Sequence, residues 1–446
     1  MAKITQVIKR SGAVVPFTPE RITNAIYRAA VAVGGRDRSI AEGLSAQVIQ
    51  ILEESCPEGH TPTIEEIQDV VEKVLIENGH ARVAKAYILY RDERARRRRE
   101  RADAAMTPSA NIPWAKIYRV LDWSVDHKVH STQSYGERLK NGELPQLIHE
   151  AELAYSEDVE NAAELIAARR SEVRMVIISG PSSSGKTTTT IKIGQRLERF
   201  GLRLVTLNVD HYFFDLEFHP KDEFGDFDFE TPQALDLALI RDHLSRLVAG
   251  KEVQIPFYDF KTGKRGPSAT TMQLKENEIL LIDSLHGLFP GMTGEVPNEQ
   301  KFKLYLEPLL QMKLTNGEYI RWTDIRLLRR MLRDAAHRAY DPTRTLEHWH
   351  YVRSSELRNI IPNVNSADYI VNSAMPFELS IYKPKIADQV QGWLRKYEND
   401  PLREDAYTRA LRIARIFSEI DALPDDSVVP DDSVIREFIG GSIYKY

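Results

Sequence analysis

Eight consecutive residues, Gly180-Pro181-Ser182-Ser183-Ser184-Gly185-Lys186-Thr187, constrain this chain more than any other stretch. They follow Arg174-Met175-Val176-Ile177-Ile178-Ser179, an apolar, β-branched run that reads as a buried parallel strand. Beyond them, 188–200 carries Ile191, Ile193, Leu197 and Phe200 at helical spacing, which completes the strand, loop and helix of a P-loop. In such a loop the glycines let successive backbone N–H groups turn inward around phosphate oxygens, and the helix adds its positive end. The expected nucleotide contacts are Gly180, Ser182, Ser183, Ser184, Gly185, Lys186, Thr187 and Thr188. Lys186 reaches the β- and γ-phosphates, and the Thr187 hydroxyl ligates Mg²⁺.

One P-loop unit does not fill 446 residues, so further domains are expected. With 42% apolar residues the chain can bury real cores, and no apolar run is long enough to span a bilayer. Polar sequence from the start argues against a signal peptide, and a cytoplasmic location follows. The lone Cys56 excludes intrachain disulfides and a Cys-rich zinc ribbon. A net charge of −5 gives no reason to expect nucleic acid, and the arginine run at 94–101, with Glu100 inside it, reads as a solvated helix end.

Ahead of the P-loop, 7–17 reads as two short strands around Ser11-Gly12, followed by helices from Thr18-Pro19 to about 33, over 40–54, from Thr63 to about 77, and from about 81. Thr63 and Glu66 have the spacing of a capping box. Four segments here, Val7-Ile8-Lys9-Arg10-Ser11-Gly12, Pro16-Phe17-Thr18-Pro19-Glu20-Arg21-Ile22, Thr63-Ile64-Glu65-Glu66-Ile67-Gln68 and Val83-Ala84-Lys85-Ala86-Tyr87-Ile88-Leu89-Tyr90-Arg91, resemble the ATP-cone, the nucleotide-sensing domain at the front of many ribonucleotide reductases. The resemblance implies that Lys9 and Arg10 meet a regulatory ATP or deoxyATP, with Arg21 and Lys85 secondary. Paired cations beside a turn suit a polyphosphate.

Residues 102–172 are less informative: a linker near 107–113, an exposed helix over 155–170, and Trp114, Tyr118, Leu121 and Trp123, which read as core packing ahead of a docking face between domains.

After the P-loop helix, 203–209 reads as a second buried strand with Asp210 at its carboxyl end, the edge that faces ligand in an open α/β sheet. A carboxylate there can take the proton of a hydroxyl that attacks a γ-phosphate. Glu278-Ile279-Leu280-Leu281-Ile282-Asp283 is a third strand, ending in a carboxylate placed to hold Mg²⁺. Three further stretches, 226–236, 253–265 and the arginine-rich 323–334, are similar to the acceptor-binding and lid segments of uridine kinases and phosphoribulokinases. The similarity runs over about 174–446 and is nearest to a bacterial uridine-kinase-like branch.

Carried over motif by motif, it implies Asp210 as general base, Glu230 as holder of the acceptor's sugar hydroxyls, Tyr258 as the ring beside the base, and Arg333 and Arg338 as lid cations. Arg265 and His286 are further acceptor candidates. The histidine that reads a pyrimidine in uridine kinases falls at Gly263 here, so the resemblance does not carry pyrimidine selectivity. The tail reads as helical from about 384 and closes with a tandem Pro424-Asp425-Asp426-Ser427-Val428-Val429 and Pro430-Asp431-Asp432-Ser433-Val434-Ile435, expected to form exposed acidic turns.

The expected organisation is an ATP-cone over 1–100, a helical linker region over 101–172, a kinase domain over 173–385 and a helical extension over 386–446 packed on the kinase. The fold class is α/β, a P-loop NTPase parallel sheet of the nucleoside-kinase type, preceded by a small, mainly helical ATP-cone with a β-hairpin. The implied activity is a Mg²⁺- and ATP-dependent kinase acting on a nucleoside hydroxyl under ATP-cone control. A kinase of a sugar or sugar phosphate and a non-catalytic nucleotide sensor stay open, as does a homo-oligomer.

Overall fold

A computed structural model of the chain describes residues 4–8, 14–56, 60–91, 112–220, 231–260, 262–338, 340–400 and 402–445, with backbone only at 267–269, 337 and 338. Lys9, Arg10, Glu230, the arginine run and the Arg338 side chain lie outside the described residues. The chain divides into two compact units, Met1–Ser109 with Asn399–Glu404, and Ala110–Glu398 with Asp405–Tyr446.

The first unit opens with β1 (Gln6–Ile8) and β2 (Val14–Pro16), paired antiparallel with Val7 opposite Val15. Helices α1 (Glu20–Ala32), α2 (Arg38–Ser55), α3 (Ile64–Glu77) and α4 (81–91) follow. Their apolar faces share one core that includes Ile26, Leu44, Val48, Leu52, Val71, Val74 and Tyr87. The Thr63 to Glu66 capping box forms as its spacing requires: the Thr63 hydroxyl accepts from Glu66 N at 3.2 Å and Glu66 Oε2 accepts from Thr63 N at 2.6 Å. These bonds hold the Glu66 carboxyl below its usual pKa.

The second unit is built on five parallel strands, β3 (Met175–Ser179), β4 (Arg203–Leu207), β7 (Glu278–Asp283), β8 (Lys301–Glu307) and β9 (Tyr369–Asn372), in the order β4-β7-β3-β8-β9. A separate antiparallel pair, β5 (Val253–Asp259) and β6 (Lys264–Met272), stands beside it. Its helices are α5 (Trp114–Asp126), α6 (Thr132–Lys140), α7 (Leu144–Ala168), α8 (Lys186–Glu198), α9 (Leu237–Val248), the one-turn α10 (Pro290–Thr293), α11 (Trp322–Arg338), α12 (Pro342–Ser355), α13 (Glu378–Tyr397), α14 (Glu404–Glu419) and the short α15 (Arg436–Ile439).

Alternation along the strands sends Val176, Ile178, Leu281 and Leu304 to one face, where α7, α8, α11, α13 and α14 cover them. Met175, Ile177, Leu280, Ile282 and Tyr305 go to the other, against α9 and β5. Both faces of β3 and β7 are therefore dry, which is why they read as unbroken apolar runs, whereas β4, expected to be buried, lies at the sheet edge with Arg203 and Thr206 exposed.

Several sequence expectations change here. The helix expected to be exposed over 155–170 is the end of the 25-residue α7, and its Tyr155, Val159, Ala162, Ala163 and Ile166 are buried against the sheet core. Residues 114–168 thus form a wall of the kinase unit and not a linker. Trp114 and Tyr118, expected in a core, are 54% and 68% exposed. The boundary expected at 385/386 falls inside α13, a continuous helix that carries Pro384. The tandem acidic turns are only half exposed: Asp425 and Asp431 face solvent, while Asp426 pairs with Lys385 at 2.6 Å and Asp432 with buried Lys192 at 2.8 Å.

α7 also carries Glu152, whose pKa burial raises to about 7, opposed by Ser433 and Lys192 and assisted by Asp432. The folded chain therefore keeps a proton that the unfolded chain releases near the ordinary value of 4.5. The stability this provides is full below that value and is lost as pH rises through 7. Glu152→Gln should flatten the decline, gaining up to roughly 3 kcal/mol at pH 8 in urea unfolding and nothing at pH 4; equal gains at both pH values would refute the assignment.

Candidate active site

Because the sheet is parallel, the carboxyl ends of β3, β4 and β7 emerge along one edge, with Ile178 in register with Asp283 and Leu207 with Ile282. That register brings the loop after β3, Asp210 after β4 and Asp283 at the end of β7 to a common depression.

The loop is wound for an anion. Ser183 has φ 60° and Gly185 φ 90°, both left-handed, a pattern that turns backbone N–H groups inward. A Cβ at Gly180 would strike the Leu306 carbonyl, so only glycine fits there. The Ser183 and Ser184 hydroxyls are buried and have no hydrogen-bond partner among the described residues. Buried donors without partners are costly, and phosphate oxygens would satisfy them. These features fit a nucleotide triphosphate.

Lys186 Nζ donates to the Gly180 and Pro181 carbonyls at 3.0 and 3.3 Å, so its ammonium lies along the loop it would share with phosphate. Burial lowers its pKa, against the pull of Asp283 and Glu437, while Arg333 and Arg326 add to the lowering. Asp283 is the mirror case: burial raises its pKa to about 6, with Lys186 opposing and the Glu437 and Asp210 charges assisting. Lys186 thus lies within electrostatic reach of Asp283, Glu437 and Arg333, and Asp283 within reach of Asp210 as well. Thr187, in the first turn of α8, has an exposed side chain. Thr187 with one or two carboxylates suits Mg²⁺, which takes few protein ligands and completes its shell with phosphate and water.

Asp210 sits in a 3-10 turn, Val209–Tyr212, whose start is capped by Asn208 Oδ1 accepting from Asp210 N at 3.0 Å. Its side chain reaches solvent inside the depression, yet the protein around it raises the carboxyl pKa, with His211 opposing. Beside it lies an aromatic wall. Tyr258 is buried, edge-on to Phe260 at 5.0 Å, tilted to Phe213 at 5.5 Å and stacked with His219 at 6.4 Å. Tyr258 N donates to His211 Nδ1 at 3.4 Å, tying the β5 strand to the Asp210 turn.

Two acceptor candidates have contacts within the fold. Arg265 is spent on Asp236 at 2.9 Å and its backbone N–H on Asp215 at 2.7 Å. His286 is buried in the turn after β7, where its carbonyl accepts from Phe289 N at 2.8 Å.

The arginines of α11 divide by face. Arg326 and Arg329 are fully buried, the first in a fork with Glu356 at 2.5 and 2.9 Å, the second in a fork with Glu378 at 2.7 and 3.0 Å. They brace the loop rather than clamp a moving group, since Arg326 Nη1 donates to the Ser182 carbonyl at 3.1 Å. Arg330 Nη1 donates to Ser182 Oγ at 3.0 Å, a loop contact that the motif comparison did not single out. Arg333 lies next along the helix and is paired with Asp334 at 3.5 Å.

The residue that sequence reasoning missed is Glu437. Its Oε2 accepts from Thr188 N at 3.1 Å and from Thr188 Oγ1 at 3.0 Å. No local pattern announces a partner 249 positions away.

Comparison with known proteins matches two separate stretches of the chain. Residues 5–96 match the ATP cone domain and residues 175–379 the phosphoribulokinase / uridine kinase family. Over 196 residues the chain is 29% identical to the uridine kinase of Chloroflexus aurantiacus, covering 43% of this chain and 83% of that protein. Over 103 residues it is 42% identical to the vitamin B12-dependent ribonucleoside-diphosphate reductase of Thermoplasma acidophilum, covering 22% of this chain and 13% of that one. Among solved structures, the D-glycerate 3-kinase of Cryptococcus neoformans is similar with a TM-score of 0.27 and 16% identity, over 58% of this chain and 88% of that one.

Proposed function

Since the chain joins an ATP-cone domain to a domain of the phosphoribulokinase / uridine kinase family, and is thereby an ATP-dependent phosphotransferase acting on a hydroxyl, we propose that the hydroxyl belongs to a nucleoside. The observation that carries this reading is the aromatic wall of Tyr258, Phe213, Phe260 and His219 next to Asp210. A flat, half-apolar base packs on such rings, and a free sugar does not need them.

In this reading Asp210 accepts the proton of the attacking hydroxyl, and its raised pKa makes it a better base than an ordinary carboxylate. Lys186 and Arg333 meet the charge that builds on the transferring phosphoryl group. Thr187 and Asp283 would hold Mg²⁺, which when bound neutralises charge on the phosphates. Glu230 and Arg338 keep their proposed roles toward the acceptor sugar and the phosphoryl group.

Relatives of the second domain are named uridine kinases, and one is a uridine/cytidine kinase of Arabidopsis thaliana. Gly263, with φ 66° and Leu216 pressing at 3.0 Å on any added Cβ, offers no side chain to read a base edge. We therefore expect weak discrimination among nucleosides. A sugar-phosphate acceptor would need a free cation, and Arg265 is already neutralised by Asp236. A screen of nucleosides, sugars and sugar phosphates by coupled ADP release tests the reading. Turnover of phosphorylated sugars alone would defeat it.

The cone supplies regulation in the same proposal. Coupling requires that nucleotide bind one state of the kinase better than another, since affinity alone shifts nothing. In the full chain, the pair Lys9→Ala and Arg10→Ala should keep turnover and lose any response to added deoxyATP. A response of unchanged size would remove the sensing role.

A further inference from the structure

The tail beyond residue 379 lies outside the matched family domain, yet it forms one side of the phosphate cradle. α8 begins at Lys186 behind Gly185, which has no side chain and caps nothing. The first-turn N–H groups of a helix lack internal partners. In a P-loop they are the groups that receive phosphate. Here one of them, Thr188 N, is already taken by the carboxylate of Glu437, which also holds the Thr188 hydroxyl. Both side chains are buried.

The backbone that presents Glu437 is fixed. Val434, Ile435 and Phe438 are fully buried, and Val434 Cγ2 stands 2.6 Å from where a Gly185 Cβ would be. Arg436 ties the segment to the Asp426 and Val429 carbonyls at 2.8 and 2.7 Å, and Lys192 ties it to α8 through Asp432 at 2.8 Å. Arg329 lies over the Phe438 ring at 4.9 Å. Unseating this segment would expose much of the main core, so only the Glu437 side chain is free to turn. Lys186 is satisfied internally in the same way, by the Gly180 and Pro181 carbonyls.

We propose that Glu437 is an internal anion seated at the phosphate position of the cradle, a specificity-determining residue that competes with the nucleotide and sets the affinity for ATP. The carboxylate must turn away, giving up two hydrogen bonds, before a phosphate oxygen takes the Thr188 N–H. It then remains beside the triphosphate as a like charge. The inference rests on the Gly180 to Thr187 loop being the nucleotide seat.

Titration calorimetry of the full chain with ATP and Mg²⁺ tests it, taking as cradle binding the component that Lys186→Ala abolishes. Glu437→Gln removes the charge at nearly constant size and should tighten that component roughly tenfold or more, the scale of one charge-assisted hydrogen bond. Glu437→Asp, which draws the carboxylate back by one methylene, should tighten it less and serves if the amide fails to fold. Asp425→Asn, at an exposed tail carboxylate that accepts from Ser427 N, leaves the ties of the Glu437 segment in place and should leave ATP affinity unchanged. Equal or weaker binding by a folded Glu437 variant, or equal tightening by Asp425→Asn, overturns the inference and leaves the nucleotide seat standing. Absence of a Lys186-dependent component in every protein overturns the seat and the inference with it.

Discussion

Asp210→Asn should lower kcat by roughly 10²- to 10⁴-fold, the usual contribution of a positioned general base, while ATP affinity moves little. Asparagine preserves shape and the Asn208-capped turn, so the loss isolates proton acceptance from folding. The sign of the pH dependence follows from the buried surroundings. Burial raises the Asp210 pKa, so the base is protonated over a wider acidic range than an ordinary carboxylate, and kcat should climb with pH through that raised value before levelling. Steady-state ADP release across pH 4 to 8, with the nucleoside acceptor found by screening, measures both effects. A variant that retains more than about a tenth of wild-type kcat would remove Asp210 from the chemistry.

Glu378→Gln should destabilise the kinase unit by about 3–5 kcal/mol, because it leaves the fully buried Arg329 without its counter-charge. The cost lies in the stranded guanidinium and not in the attraction lost. The double replacement Arg329→Met with Glu378→Gln should therefore recover a large part of the loss. Chemical denaturation of the two variants beside wild type decides the matter; a double variant no better than the single one would mean that the pair contributes by attraction. The phosphate loop should loosen as well. Arg329 Nη2 donates to the Ser373 carbonyl at 2.7 Å and its Nη1 to the Ser373 hydroxyl at 3.3 Å, and that hydroxyl donates to the Ser184 carbonyl at 2.5 Å.

What could be read in the sequence was what depends on near neighbours. The β3 run, the loop and α8 are contiguous, and the Thr63 to Glu66 capping box spans three positions, so spacing alone located both. Asp283 was legible because a buried strand that ends in a carboxylate is unusual in itself. What was misread depends on partners far along the chain. The 323–334 stretch read as a lid helix throughout, and the buried pairing of its Arg326 and Arg329 was not legible because Glu356 and Glu378 stand 30 and 49 positions away. Arg265 looked available until Asp236 was found beside it. The 155–170 helix looked exposed because its buried face is made of alanines, with Val159, Ile166 and one tyrosine, a weak apolar signal that only the opposing α8 and sheet turn into a core. Glu437 combines both difficulties, being a single carboxylate near the end of an acidic tail whose partner lies 249 positions earlier.

That distance has a meaning during synthesis. The wall of the cradle formed by Val434 and Glu437 leaves the ribosome only after the sheet, the β5–β6 pair and α11 have emerged. A nascent chain carries the loop for much of its translation with its side toward Val434 open. Emergence of the 434–437 segment, and not the folding of the sheet, is then the event that finishes the cradle, and chains cut short before it would keep a recognisable P-loop with an unfinished wall.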